Sequence, residues 1–214
     1  MSLDARVAGP TDLDAVTETI VLAFHNDPVW SWAFPDDAQR PSQFRRWWPL
    51  FVESALPHGW VWMAPQAATI APVIAATIAP VIAATIAMWI PPGAPELSHE
   101  AERRIPPLLD ELLGARAPVV LEGLLRFEAA HPHDAPHYYL SFVATHDEHR
   151  GNGIGEQLLA QNLELIDVEH MPAYLESSNP NNLARYERLG FRARGEFAIA
   201  DGGPVITTMW RPAS

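Results

Sequence analysis

The feature that most constrains this chain is a glycine-rich turn between a predicted strand and a predicted helix. The turn consists of Arg150, Gly151, Asn152, Gly153, Ile154 and Gly155. An apolar run, 138–145, precedes it, and a stretch with periodic apolar residues, 158–166, follows it. Closely spaced glycines let backbone N–H groups approach an anion without Cβ clashes, and a helix N-terminus adds unpaired donors. The order of strand, glycine turn and helix therefore predicts a phosphate-binding loop.

Two common phosphate loops do not fit this turn. A Walker-type loop ends in Gly-Lys-Ser/Thr, and this chain contains no lysine. A dinucleotide fingerprint needs a third glycine where Glu156 stands, within a βαβ unit that the preceding sequence does not predict. The remaining pattern, Arg-x-x-Gly-x-Gly, resembles the pyrophosphate loop of the GNAT superfamily of acyl-CoA-dependent N-acyltransferases. A glycine turn that only caps a helix is the alternative.

A second block of sequence strengthens this resemblance. After a predicted strand, 173–178, come Asn179, then Tyr186 seven residues later, then Gly190 and Phe191. GNAT proteins carry a similar Asn, Tyr and Gly-Phe at a similar distance from the loop, so the resemblance is specific over roughly 137–193. It implies an α/β (α+β) fold with a mixed, mostly antiparallel sheet flanked by helices. It also implies a single N-acetyltransferase domain spanning 1–214.

The rest of the pattern predicts how further elements follow one another. A first strand near Arg6 precedes a helix that begins at residue 11 or 12 and runs to about residue 25. One amphipathic helix is predicted over 41–55, a strand over 58–63, and a helix over 96–113 interrupted by Pro106 and Pro107. A helix over 119–130 follows, and two closing strands flank the turn at 201–203.

The resemblance implies acetyl-CoA as the acyl donor and assigns cofactor-binding residues. Val143, Ala144 and Thr145 should run beside the pantetheine arm, although Thr145 stands where the family usually has an aliphatic residue. The loop residues Arg150, Gly151, Asn152, Gly153, Ile154 and Gly155 should hold the pyrophosphate. Asn179 should contact the arm, or else only cap a turn. Tyr186 should donate a proton to the departing thiolate, with a role as a core aromatic residue as the alternative.

The general base is less constrained by the sequence. Glu176 is the first candidate, because a carboxylate in an apolar strand is costly without a role; pairing with an arginine is the alternative. His137 and Glu128 are further candidates. His131 and His133 lack a third ligand at convincing spacing, so no metal is predicted.

The acceptor pocket is predicted from an N-terminal block that is rich in aromatic residues. Asp27, Trp30 and Trp32, together with His137, are assigned to it, with burial of the tryptophans in the core as the alternative. Tryptophans near carboxylates suit a cationic or aromatic amine. The net charge of −12 disfavours nucleic-acid binding and favours a cationic substrate, unless it only supports solubility.

A tandem repeat separates the second and third predicted strands. Ala-Thr-Ile-Ala-Pro-Val-Ile-Ala occupies 68–75 and 76–83, and begins again at 84–87. We interpret 68–87 as a tandem eight-residue insertion that extends a hairpin, because an even repeat preserves the facing of strand residues. A loop without regular structure is one alternative. A membrane segment is disfavoured by the Ala, Thr and Pro content and the lack of flanking positive charge. The sequence leaves open whether two copies of the chain pair through this arm to form a homodimer.

The sequence predicts a cytoplasmic enzyme that binds neither membrane nor nucleic acid. There are no cysteines, which excludes thiol catalysis, and no signal-peptide pattern. The predicted function is N-acetyltransfer from acetyl-CoA to a primary amine of a small molecule or peptide, by direct attack in a ternary complex. A non-catalytic acyl-CoA-binding protein whose repeat arm mediates assembly is the alternative, and a different acyl group is a further one.

Overall fold

A computed structural model describes residues 3–65 and 82–214 of the chain. Its seven strands are β1 (Arg6–Val7), β2 (Val61–Pro65), β3 (Ala83–Ile90), β4 (Tyr138–Thr145), β5 (Ala173–Ser177), β6 (Arg192–Ala198) and β7 (Val205–Arg211). Its helices are α1 (Leu13–Ala23), α2 (Pro28–Ala33), α3 (Arg40–Trp47), α4 (Pro49–Ala55), α5 (His99–Leu113), α6 (Ala117–Ala130), α7 (Ile154–Val168) and α8 (Leu183–Arg188). The strands form one sheet in the order β1-β2-β3-β4-β5-β7-β6.

One pair of strands differs from the others in direction and creates an opening in the sheet. Strands β4 and β5 are parallel, whereas every other neighbouring pair is antiparallel. Their pairing runs from Tyr138–Ala173 to Leu140–Leu175. Beyond that point β4 continues to Thr145 and β5 to Ser177, but they no longer pair with each other. The predicted mixed, mostly antiparallel sheet is confirmed, and its two central strands separate at one end.

Helices cover both faces of the sheet because its strand residues alternate between two apolar clusters. On β3, Ile86 and Met88 face the cluster formed with α1 to α6. Ala87 and Trp89 face the cluster formed with α7. This alternation follows from the two-residue period of a strand. The Trp89 indole also donates a hydrogen bond of 3.0 Å to Asn162 of α7, which fixes that helix against the sheet.

Two helix predictions need correction. The helix predicted over 41–55 is two helices, divided at Trp48, because Pro49 has no N–H for the preceding turn. The helix containing Pro106 and Pro107 is not interrupted by them. The Ser98 side chain caps its N-terminus, and Ala101, Ile105 and Leu109 bury one face of it. Tertiary packing therefore outweighs a proline penalty of about 3 kcal/mol per residue.

The strands on either side of the repeat pair with each other. Ala64 lies opposite Thr85, and Pro65 lies opposite Ala83, in the antiparallel β2–β3 pair. Most of the repeat falls within 66–81, outside the described residues, so the duplicated arm remains a prediction. Across the described ranges, no helix has the length and apolar character needed to cross a bilayer.

Candidate active site

The glycine turn has a backbone that requires glycine and packs closely on the sheet. Gly151 and Gly153 have φ angles of 80° and 74°, in the left-handed region that disfavours other residues. Gly153 caps α7. At Gly155, an added Cβ would lie 2.8 Å from Oγ1 of Thr145. The loop can therefore place backbone N–H groups and the start of α7 close to the end of β4.

A cavity of about 430 Å³ lies beside this turn. All residues of the turn except Asn152 line it, together with Val143, Thr145, Asn179, Asn182 and Arg185. Asn179 uses its side-chain oxygen to accept a hydrogen bond of 3.0 Å from the backbone N–H of Asn181. It therefore caps a short turn while also lining the cavity, so the two roles considered from sequence are compatible.

Two arginines line the cavity, and their partners differ. The Arg150 guanidinium donates to the Ala23 carbonyl at 2.7 Å and lies 3.0 Å from Asp147. The Arg185 guanidinium donates to the side-chain oxygen of Asn182 at 2.6 Å, and no carboxylate of the described residues lies within 4.0 Å of it. Sequence reasoning missed Arg185, although it immediately precedes Tyr186. In this structure it is the arginine with more unneutralised charge.

A second cavity, of about 210 Å³, adjoins the first where β4 and β5 separate. Phe24, Asp27, Val143 and Asn182 line both cavities. The second cavity has apolar and aromatic walls that include Trp30, Phe51, Leu97, Leu124, Phe127 and Phe142. Its polar lining includes Glu96, Glu128, His131, Ser141, Glu176 and Tyr186. The fold thus joins a glycine-lined cavity to one that is aromatic and acidic.

Glu176 lies in the second cavity between two phenols. Tyr139 and Tyr174 each donate a hydrogen bond of 2.8 Å to one of its carboxylate oxygens. Burial raises the pKa of Glu176 to about 8, an effect that these hydrogen bonds oppose. No arginine pairs with Glu176 within the described ranges, so the ion pair considered from sequence is absent there.

Glu96 is a second cavity carboxylate, and sequence reasoning did not assign it a role. It lies between β3 and α5 and accepts a hydrogen bond from the Ser141 hydroxyl. Burial raises its pKa to about 7, and repulsion from Glu128 contributes. The one sequence signal was its position as the first carboxylate after a long run, 54–95, without acidic or arginine residues.

Tyr186 presents a buried phenol to the same cavity. The residue is 5% exposed, and none of the described residues forms a hydrogen bond with its hydroxyl. Burial raises its pKa to about 12; Arg185 opposes this shift and the Asp27 carboxylate adds to it. The phenol therefore stays protonated at neutral pH and is available to donate to a bound group.

The four residues assigned to acceptor binding divide into two pairs. Asp27 and Trp30 line the cavity. The Asp27 carboxylate also accepts from the backbone N–H groups of Val29 and Trp30 at 3.0 and 3.2 Å, and from the Ser178 hydroxyl. It caps α2 with these contacts. Burial raises the pKa of Asp27.

Trp32 and His137 do not line this cavity. Trp32 is two residues beyond Trp30, on the opposite side of α2, where the Arg116 guanidinium stacks 4.7 Å from its ring. His137 lies just before β4, hydrogen-bonded to the Ala135 carbonyl at 2.8 Å and to His131 at 3.2 Å. His131 lines the cavity instead. Within the described part of the chain, no three His, Asp or Glu side chains are grouped to hold a metal ion.

Comparison with known proteins agrees with this architecture. A family model described as an acetyltransferase (GNAT) domain matches residues 116–193. A Corynebacterium glutamicum structure described as histone acetyltransferase HPA2 and related acetyltransferase aligns with a TM-score of 0.66 and 22% identity, over 100% of this chain and 98% of that one. Arylalkylamine N-acetyltransferase 2 from Aedes aegypti aligns over 100% of both chains, with a TM-score of 0.60 and 13% identity.

A third structure, the polyamine N-acetyltransferase of Drosophila melanogaster, aligns with a TM-score of 0.58 and 10% identity. The alignment covers 99% of this chain and 100% of that one. At these identities the structures show the shared fold, and the family model adds the domain assignment. Residues 116–193 therefore resemble the GNAT acetyltransferase domain, whose members use acetyl-CoA as the acyl donor, and the whole chain shares the fold of these three acetyltransferases.

Proposed function

We propose that this protein transfers the acetyl group of acetyl-CoA to a primary amine by direct attack within a ternary complex. The observation that carries the proposal is the junction of the two cavities where β4 and β5 separate. A cofactor in the glycine-lined cavity can extend its thioester towards an amine in the acidic one. Holding both reactants together removes the need for a covalent enzyme intermediate.

The cofactor would lie along the edge of β4. After Leu140, the side of β4 that faces β5 has no strand partner among the described residues. Its backbone groups near Val143 to Thr145 can pair with the pantetheine amides, and one N–H can polarise the thioester carbonyl. The loop N–H groups and the Arg185 guanidinium would then receive the pyrophosphate.

Proton transfer can be assigned to two cavity side chains. The amine loses a proton to Glu176, and its nitrogen forms a bond to the acetyl carbon. The carbon–sulfur bond then breaks as Tyr186 donates its proton to the departing thiolate, and the second proton released by the attacking nitrogen restores the Tyr186 phenol. A base works best when its pKa is close to the operating pH, and the pKa of Glu176 is raised to about 8.

The acceptor class follows from the cavity lining. Aromatic faces and carboxylates together favour a cationic amine. Two structural neighbours are described as acting on arylalkylamines and on polyamines, respectively. We extend to this chain only the shared chemistry, which is a primary amine carried on an apolar or extended body.

The test combines cofactor binding with turnover. Thermal-shift titration with acetyl-CoA, CoA and longer acyl-CoAs should show stabilisation that rises with ligand concentration. A thiol-release assay with an amine panel should then show CoA formation that depends on the amine. Binding without release of CoA with any amine would instead favour a non-catalytic acyl-CoA-binding protein.

Tyr186→Phe tests the assigned acid. Loss of general acid catalysis should lower kcat by about 10²–10⁴-fold, with little change in the Kd for CoA. Tyr138→Phe is a matched control, because that phenol bonds to Glu169 and does not line the cavity. Unchanged kcat in Tyr186→Phe would remove Tyr186 from the acid role.

A further inference from the structure

The acidic cavity contains more carboxyl groups than one reacting amine can account for. Asp27, Glu96, Glu128 and Glu176 line it, and its lining contains no arginine. The one histidine in the lining is His131. Burial, with repulsion from His137 and His133, lowers its pKa to about 4. His131 is therefore neutral at physiological pH and cannot balance the carboxylates.

These carboxylates are close enough to repel each other. Glu128 raises the pKa of Glu96, and both of these residues raise the pKa of Glu176. The cavity is distinguished from a solvated acidic surface by Tyr186. The residue is 5% exposed and lines the same cavity, and its hydroxyl lacks a hydrogen-bond partner in the described part of the chain. A hydroxyl that faces a cavity and has no protein partner is free to bond to a ligand bound there.

The proposed chemistry accounts for some of the carboxylates. Glu176 takes the proton of the reacting amine, after which both groups are neutral. Asp27 is stabilised by the N–H groups and dipole of α2. Glu128 lies at the rim, with a side chain 74% exposed, 3.6 Å from His133. Glu96 remains; the Ser141 hydroxyl is its hydrogen-bond partner, and no arginine or histidine in the described ranges lies within 4.0 Å of its carboxylate.

We infer that the acceptor amine carries a second positive charge, and that Glu96 is the residue that recognises it. This inference rests on the proposed function for the identity of the reacting end. The apolar side chains of Leu97, Leu124 and Phe127 would contact the spacer between the two charges. The ligand class is therefore a small diamine with an aliphatic spacer, rather than a monoamine with an aromatic tail.

The experiment compares ligands that differ in the second charge. Cadaverine, pentylamine and phenethylamine are titrated by calorimetry into the full-length protein saturated with CoA, and each is assayed as an acceptor with acetyl-CoA. Cadaverine should bind at least about tenfold more tightly than pentylamine, since a hydrogen bond to a charged partner contributes about 1.5–3 kcal/mol. The same preference should be found in kcat/KM.

Glu96→Gln keeps the shape of the side chain and removes its charge, so it should reduce the ratio of cadaverine to pentylamine affinity towards one. Glu100→Gln is the matched control, because Glu100 is an exposed residue on the first turn of α5. That variant should keep the ratio of the unaltered protein. Circular dichroism of each variant establishes that its fold is intact.

Several results would overturn the inference. Equal or tighter binding of pentylamine or phenethylamine would do so, as would a preference that persists in folded Glu96→Gln. A lysine-containing tripeptide that binds better than cadaverine would refute the small-molecule class. Binding of cadaverine without any turnover would leave the recognition intact and refute the proposed catalysis, so the two failures are distinguishable.

Discussion

Replacing Gly155 by alanine tests whether the glycine turn depends on close contact with the end of β4. Gly155 is the second residue of α7 and has no left-handed φ, so alanine is compatible with its backbone. The obstacle is steric, because the new Cβ would lie 2.8 Å from Oγ1 of Thr145. That hydroxyl is held at 3.0 Å from Oγ1 of Thr85, a fully buried residue that also donates to the Ala144 carbonyl.

The magnitude follows from two opposing effects. Overpacking costs about 1–3 kcal/mol, whereas alanine gains up to about 1 kcal/mol over glycine in helix propensity. A double-mutant cycle with Thr145→Ala separates the two effects. Removing the Thr145 hydroxyl removes the clash, whereas the gain in helix propensity at position 155 remains. We therefore expect a coupling free energy of about 1–3 kcal/mol between positions 145 and 155.

The free energy of unfolding of the four proteins is measured by urea denaturation, and the Kd for CoA by calorimetry. Gly155→Ala alone should weaken CoA binding, because the helix start and its N–H groups must shift. Thr145→Ala with Gly155→Ala should recover much of that affinity. A coupling below about 0.3 kcal/mol, within the error of additivity, would refute the close-contact argument.

Four further outcomes follow from the site. Arg185→Gln should weaken binding of CoA and dephospho-CoA about tenfold or more but leave pantetheine binding unchanged. Arg150→Gln should weaken CoA binding less, because Asp147 already pairs with Arg150; equal losses of affinity would refute this reasoning. The kcat/KM of the unaltered enzyme should rise with pH through an apparent pKa of about 8, that of Glu176, and a flat profile would exclude this base. Glu176→Gln should abolish turnover yet stabilise the fold at alkaline pH by up to about 5 kcal/mol, as measured by urea denaturation at several pH values. Deleting 68–83 should leave a folded protein that binds CoA by thermal shift; an insoluble product would show that the repeat is structural.

Local sequence patterns were sufficient to predict the loop and the elements around it. Glycine spacing, an apolar run and helical periodicity all act within about twenty residues of Gly153. They identified the positions of β4, α7 and β5 before any contact was known. The two cavities instead depend on register. Tyr139 lies opposite Tyr174, and only this parallel register brings both phenols to Glu176, two residues further along β5.

The residues missed from sequence lacked any such local signal. Glu96 becomes a cavity residue because Ser141, in the middle of β4, meets it across 45 positions of chain. Trp32 illustrates the opposite error. Its residue type and its proximity to Trp30 suggested the acceptor pocket, but the helical rotation of about 100° per residue turns it towards Arg116. The composition indicated that the site would be acidic and aromatic, but tertiary packing determines which residues line the cavity.

The raised pKa values of Glu176 and Glu96 indicate that this cavity costs the protein stability. A carboxyl whose folded pKa lies above its ordinary value of 4.5 holds a proton that the unfolded chain has released. The free energy of unfolding therefore falls as pH rises from about 4.5 to 8. An apolar residue would avoid this loss, so the carboxylates destabilise the empty protein under the conditions in which they are charged. A cationic amine reverses the effect by supplying the missing positive charge. Substrate binding should thus stabilise the fold more at alkaline than at acidic pH, until the amine itself loses its charge.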